Sequence, residues 1–122
     1  MLNQYTATIT TNGSGAATVY LGSVIRGEIK RIDYAPGTID TGAGLTITGE
    51  TTGVKVLTKA SAGTANVSYY PVAAANKVAD GAASSLTELP VWLYKERLKV
   101  VAASGGATLT GSITLYVDEW EP

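Results

Sequence analysis

The sequence predicts an all-β domain, a β-sandwich or jelly-roll-like fold of about 8-9 short, mostly antiparallel strands. Three observations predict it. Apolar and polar residues alternate with a period of two, as in Ile113, Leu115 and Val117 against Ser112, Thr114 and Tyr116, which puts one row inward and one outward on a strand. The outward rows are rich in threonine, a β-branched residue suited to a pleated surface. Glycine- and asparagine-bearing turn signals separate the runs at short intervals.

Taken in order, Tyr5, Ala7 and Ile9 alternate with Thr6, Thr8 and Thr10 and place a first strand near 4–11. Asn12-Gly13-Ser14-Gly15 reads as a hairpin connection, because asparagine and glycine tolerate positive φ. Strands near 16–22 and 24–34 follow. In the second of these Ile25, Gly27 and Ile29 share one face, whereas Ile32 and Tyr34 take the other parity. A bulge near Lys30-Arg31 accounts for that switch. Ala35-Pro36-Gly37 and Gly42-Ala43-Gly44 bracket a loop, and Leu45 and Ile47 mark a strand over 44–49. Thr51-Thr52-Gly53 makes a tight turn into a strand over 53–58, where Val54 and Val56 flank Lys55.

After a strand near 65–70 comes an alanine- and serine-rich region, 71–88, without a clear period. It reads as one long surface loop with at most a helical turn at Val72 to Ala75. Ser85-Leu86-Thr87-Glu88 has the spacing of a capping box. Leu89, Val91 and Leu93 then give a core-facing row over 89–94, followed by strands at 97–102 and 107–118, with a turn at Ser104-Gly105-Gly106. The chain reads as one β-sandwich domain over 1–122, with no internal repeat.

Composition narrows the chemistry. The 122 residues are long enough to bury a core without staples, and there is no cysteine. Nine basic and ten acidic residues leave a net charge of −1, which argues against a broad grip on nucleic acid or on an anionic membrane. No apolar run is long enough to span a bilayer. Met1-Leu2-Asn3-Gln4-Tyr5 lacks a basic segment followed by a hydrophobic stretch, so no secretory signal is expected. There is no histidine, the commonest general base and metal ligand. No catalytic residue, metal site or cofactor is therefore expected. Asp118, Glu119 and Glu121 have the hard-ligand chemistry of a calcium site, but read more simply as a charged tail.

The remaining candidates are surfaces. Trp92 and Tyr94 have the parity opposite to Leu89, Val91 and Leu93: if that row lines the core they face outward, where aromatic side chains anchor interfaces, and if the strand is covered on both faces they belong to the core. Lys95, Arg97 and Lys99 share a face opposite Glu96 and Leu98. They form either a basic strip for an acidic partner or an edge strand that uses lysine against aggregation. Trp120 lies beyond the last regular strand and needs something to dock on. With the N-terminal segment, the expected partner or oligomer contacts are Leu2, Gln4, Tyr5, Trp92, Tyr94, Arg97 and Trp120.

Several stretches resemble a family of small tailed-bacteriophage proteins, usually encoded beside the major capsid protein. They are Tyr5-Thr6-Ala7-Thr8-Ile9-Thr10-Thr11 running into Gly13-Ser14-Gly15-Ala16-Ala17-Thr18, then Gly37-Thr38-Ile39-Asp40-Thr41-Gly42 and Leu45-Thr46-Ile47-Thr48-Gly49-Glu50-Thr51-Thr52-Gly53. The likeness closes on Arg97-Leu98-Lys99-Val100-Val101, Gly105-Gly106 and Thr110-Gly111-Ser112-Ile113, and is weakest over 60–88. The resemblance implies a virion structural protein, made in the host cytoplasm and carried on the capsid surface as a decoration or cement protein. Its implied partners are the major capsid protein and further copies of itself. It brings no catalytic residues. Two other readings stand beside it: a carbohydrate-binding or host-adhesion module that stacks sugars on Trp92, Tyr94, Tyr69 and Tyr70, and another head or tail completion protein.

Overall fold

The computed structural model describes residues 1–76 and 80–120, with the backbone alone for 74–76 and 85–87. Nine strands are present among the described residues. They are β1 (Leu2–Thr10), β2 (Ala17–Ala35), β3 (Gly44–Gly49), β4 (Lys55–Lys59), β5 (Val67–Tyr69), β6 (Val72–Asn76), β7 (Ala83–Pro90), β8 (Trp92–Ala103) and β9 (Thr110–Glu119). The fold is all-β and sandwich-like, and every pairing is antiparallel.

One path of hydrogen-bonded neighbours, β1-β9-β2-β8-β3-β4, makes most of the structure, with β5 on β2. The 19-residue β2 serves both layers. Its first part, Ala17 to Glu28, pairs with β8, and its second part, Gly27 to Ala35, pairs with β9. A strand that changes sheets needs bends, and bulges supply them. One irregularity lies between Leu21 and Ile25, and the register slips again at Lys30, between Ile29 and Arg31. The second is the bulge that the phase break in the sequence predicts. The first joins two expected strands into one.

The alternation in sequence becomes the core. Ile9, Leu21, Ile25, Ile29, Ile32, Tyr34, Leu45, Ile47, Leu93, Leu98, Val100, Ile113, Leu115 and Val117 are all buried. At roughly 1.5–3 kcal/mol per fully buried side chain, this inward row is the main stabilising element.

Three expectations are corrected. The 71–88 region is not a long loop: β6 and β7 form a separate two-stranded sheet, with Val72 opposite Pro90 and Ala74 opposite Glu88. Neither face of its described residues is covered, so no inward row marks it in sequence. The helical turn and the capping box give way to strand here, although residues 77–79 lie outside the described structure. Leu89 leaves the expected core row, because β7 ends at Pro90 and Leu89 is exposed. The turns after β1 and β8 do not close hairpins, since β1 pairs with β9, and β8 with β2 and β3. They arch between layers instead and brace each other: the Gly105 amide donates to the Gly15 carbonyl at 2.9 Å and the Thr108 amide to the Asn12 carbonyl at 3.2 Å.

Candidate functional site

The outward face of β2, β8 and β9 around Arg26 carries the largest aromatic group. Val91 and Leu93 point inward, so Trp92 points outward. Trp120 arrives from the other side: its amide donates to the Arg26 carbonyl at 2.8 Å, which adds one rung to the β9–β2 ladder. The two indoles meet edge to face, with centroids 5.1 Å apart and planes at 80°. They remain 55% and 43% exposed, and Tyr94 and Val24 are each 64% exposed. This is more apolar surface than scattered exposed side chains account for.

A bulge at Lys95 widens the patch. Ile25 pairs with Glu96 and Arg26 with Tyr94, which leaves Lys95 as the extra residue, at φ 56°. Tyr94 and Lys95 consequently both face solvent, and the Lys95 Nζ lies 5.5 Å from the Tyr94 ring centroid. Beside the patch, Val24, Arg26, Glu119 and Trp120 line a cleft of about 310 Å³. The Arg26 Nε is covered there and finds no acceptor among the described residues.

The other expected contacts divide. Leu2 is 62% exposed and, with Lys30, Arg31, Tyr70, Tyr116 and Asp118, lines an open groove of about 630 Å³. Arg31 stacks on Tyr116 within it at 4.3 Å. Gln4 faces solvent from β1. Tyr5 does not: it packs against the core and donates from its hydroxyl to the Glu119 Oε1 at 2.5 Å. Burial, then the hydrogen bond and negative charge of Glu119, push the Tyr5 phenol up to about 12. Arg97 is occupied on its own surface. It lies 3.8 Å over the Tyr20 ring and 2.7 Å from the Glu50 Oε2. The hydrogen bond from Arg97 holds the Glu50 carboxyl below the usual carboxylate range. The edge-strand reading of Lys95, Arg97 and Lys99 is corrected, since β8 is paired on both sides.

Of the three tail acids, Glu121 lies outside the described residues, and the other two do not gather. Asp118 and Glu119 alternate across β9: Asp118 takes the Met1 ammonium at 3.1 Å, and the Glu119 carboxylate takes Asn3 and Tyr5. Among the described residues no group of three or more His, Cys, Asp or Glu could hold a metal ion. No helix among them is long and apolar enough to cross a membrane. Of the four aromatics considered for sugar stacking, Tyr69 packs against the core and Tyr70 lies in the Leu2 groove, apart from the Trp92–Trp120 pair.

Sequence reasoning missed Arg26 and Val24, which acquire meaning only when Trp120 folds back beside them. It also missed Glu96, whose carboxylate is buried at 3% exposure instead of solvated. Compared with known protein families, curated proteins and solved structures, the chain gives no match.

The indole pair gives a direct test. Trp120→Ala is expected to lower stability by about 1 kcal/mol, the worth of an edge-to-face pair. It is also expected to remove the near-UV circular dichroism band of the coupled indoles, with Trp92 still present. An unchanged band would show that the rings do not meet in solution.

Proposed function

We propose that this chain is a virion structural protein, a capsid decoration or cement protein. It binds the outer shell of a bacteriophage head and stabilises contacts between capsomers. One observation carries the reading: Trp92, Trp120, Tyr94 and Val24 share an outward face that the chain itself leaves half uncovered. Aromatic and arginine side chains are the usual anchors of protein interfaces. The resemblance of the β1, β3 and β8 segments to small phage head proteins supplies the partner, the major capsid protein. Each anchor fully buried at the shell adds roughly 1.5–3 kcal/mol, and many symmetric copies add avidity.

The experiment is a particle assay. The protein is expected to stay on purified heads through a density gradient, and heads lacking it are expected to burst at lower temperature or osmotic stress. The Trp92→Ala, Trp120→Ala pair is expected to reduce occupancy at least tenfold. Heads of unchanged composition and stability after deletion of the protein would refute the reading.

A further inference from the structure

We infer that the chain forms a two-fold dimer by pairing the open edge of β1 with the same edge of β1 in a second copy, which joins two sheets into one. The inference goes beyond the shell reading and uses none of its aromatic face.

The backbone of β1 comes first. β1 stands at the end of its sheet and pairs with β9 alone. In an antiparallel pair, successive residues turn their backbone groups alternately toward the partner strand and away from it. The Thr11 amide donates to the Leu109 carbonyl at 2.9 Å and the Glu119 amide to the Met1 carbonyl at 2.7 Å. The odd-numbered residues of β1 therefore face β9. Leu2, Gln4, Thr6, Thr8 and Thr10 aim their N–H and C=O groups at the open edge, where no strand among the described residues pairs with them.

This edge lacks the devices that keep sheet edges apart: charge, proline, bulges and shortness. β1 runs nine residues in unbroken register, with no charged residue and no proline. The other end of the path shows what is missing. β4 has five residues, exposed Lys55 and Lys59 at its ends, and a register shift against β3. The chain guards β4 and leaves β1 as a template for another strand.

Register identifies that strand. β1 carries no charge with which to select a foreign segment, but it fits itself. Antiparallel about a two-fold axis at Thr6, two copies set Thr6 opposite Thr6, Gln4 opposite Thr8 and Leu2 opposite Thr10. Every outward N–H and C=O of both strands then finds a partner. No like charges meet, and threonine pairs are favourable cross-strand neighbours. On the inward face Tyr5 comes opposite Ala7 of the second copy. Both are half-buried at the rim of the core in one copy, and the added sheet covers what one copy leaves wet. A shift by two residues in either direction leaves outward groups unpaired at the strand ends, so Thr6 is the residue on the axis. The contact is isologous, as a closed two-fold requires.

Sedimentation velocity and hydrogen exchange on the purified chain test this. A species of about 25 kDa, twice the 12.5 kDa chain, is expected at micromolar concentration. The Gln4, Thr6 and Thr8 amides are expected to be protected in it and to exchange freely on dilution to monomer. Thr6→Lys and Thr6→Glu each set a charge against its own copy on the axis and are each expected to weaken the dimer about fivefold or more. An equimolar mixture of the two variants is expected to recover most of that loss as a heterodimer. Thr6 is exposed, so the melting temperature of the monomer is expected to change by no more than about 2 °C. A wild-type monomer at about 100 µM, a dimer whose Gln4, Thr6 and Thr8 amides exchange freely, or a mixture no tighter than its single variants would each overturn the inference. Protection of these amides only on phage heads would give the edge to the shell, overturning the dimer and leaving the shell reading standing.

Discussion

Replacing Glu96 by alanine is expected to cost about 3 kcal/mol of stability and to lower the melting temperature by roughly 10–15 °C. Glu96 is the one fully buried acid among the described residues, on the inward row of β8 with Leu93 and Leu98. Its Oε1 accepts the Thr51 and Thr52 amides, each at 3.0 Å, and its Oε2 accepts the Thr52 hydroxyl at 2.8 Å. The carboxylate thereby satisfies the donors of the turn between β3 and β4. Gly49 makes room for it, because a Cβ there would run into the carboxylate. Alanine leaves two amides without their acceptor and a hole under the turn, so the loss exceeds that of one ordinary hydrogen bond. Glutamine keeps one acceptor oxygen and lets the Thr52 hydroxyl reverse its role, at a cost of about 1 kcal/mol.

The same residue sets a pH dependence. Burial pushes the Glu96 carboxyl up, but the Thr52 amide and hydroxyl and the Thr51 amide together outweigh it. The net result lies below the ordinary value of 4.5. A carboxyl with a lowered folded pKa binds its proton more weakly in the native state than in the unfolded chain. Its contribution is therefore complete above the ordinary value and is lost as pH falls through the lower, folded one. Urea unfolding between pH 6 and pH 3 is expected to show a smaller acid loss in Glu96→Gln than in the parent protein. Equal acid slopes in the two would mean that Glu96 does not carry this linkage.

The legible and illegible parts of the molecule divide on physical grounds. The rows Ile113-Leu115-Val117 and Leu45-Ile47 are legible because each strand has one wet face and one dry face. The ribbon of β6 and β7 shows exposed residues on both sides and carries small side chains, so its pairing is a backbone property that leaves no period. Gly15 and Gly105 announce reversals correctly. A reversal does not say whether the chain returns beside itself or crosses to the other layer; that depends on where β9 and β8 find room on β2. Parity sets Trp92 and Tyr94 opposite Val91 and Leu93, and their outward aim follows because that face of β8 is left uncovered. Their meeting with Trp120 needs the β9 register that brings the Trp120 amide to the Arg26 carbonyl. For Glu96 the signal is present: it shares parity with Leu98 and Val100, and a carboxylate on a dry row must have donors waiting.

Gly27 carries the other large effect. Substitution by alanine is expected to cost about 3 kcal/mol, and by valine more, as an overpacked site beside fixed backbone. Gly27 sits where β2 changes sheets, opposite Leu93 of β8 on one edge and Glu119 of β9 on the other. A Cβ at this position would overlap the Asp118 carbonyl oxygen and stand 2.9 Å from both the Asp118 carbonyl carbon and the Glu119 Cα. These are main-chain atoms, so no side-chain rotation relieves the contact. Relief requires β9 to move away from β2 at its last rungs. That movement would draw the Trp120 amide from the Arg26 carbonyl and carry the Trp120 indole off Trp92. Gly27→Ala is thus expected to lower the melting temperature by roughly 10 °C and, unlike Glu96→Ala, to weaken the near-UV signal of the indole pair below the transition. A variant that melts within about 2 °C of the parent with that signal intact would show that β9 does not close on β2 at Gly27. Loss of stability with the indole signal preserved would place the strain on the β8 side of the crossing. The paired readout therefore locates the junction that holds the aromatic face in place.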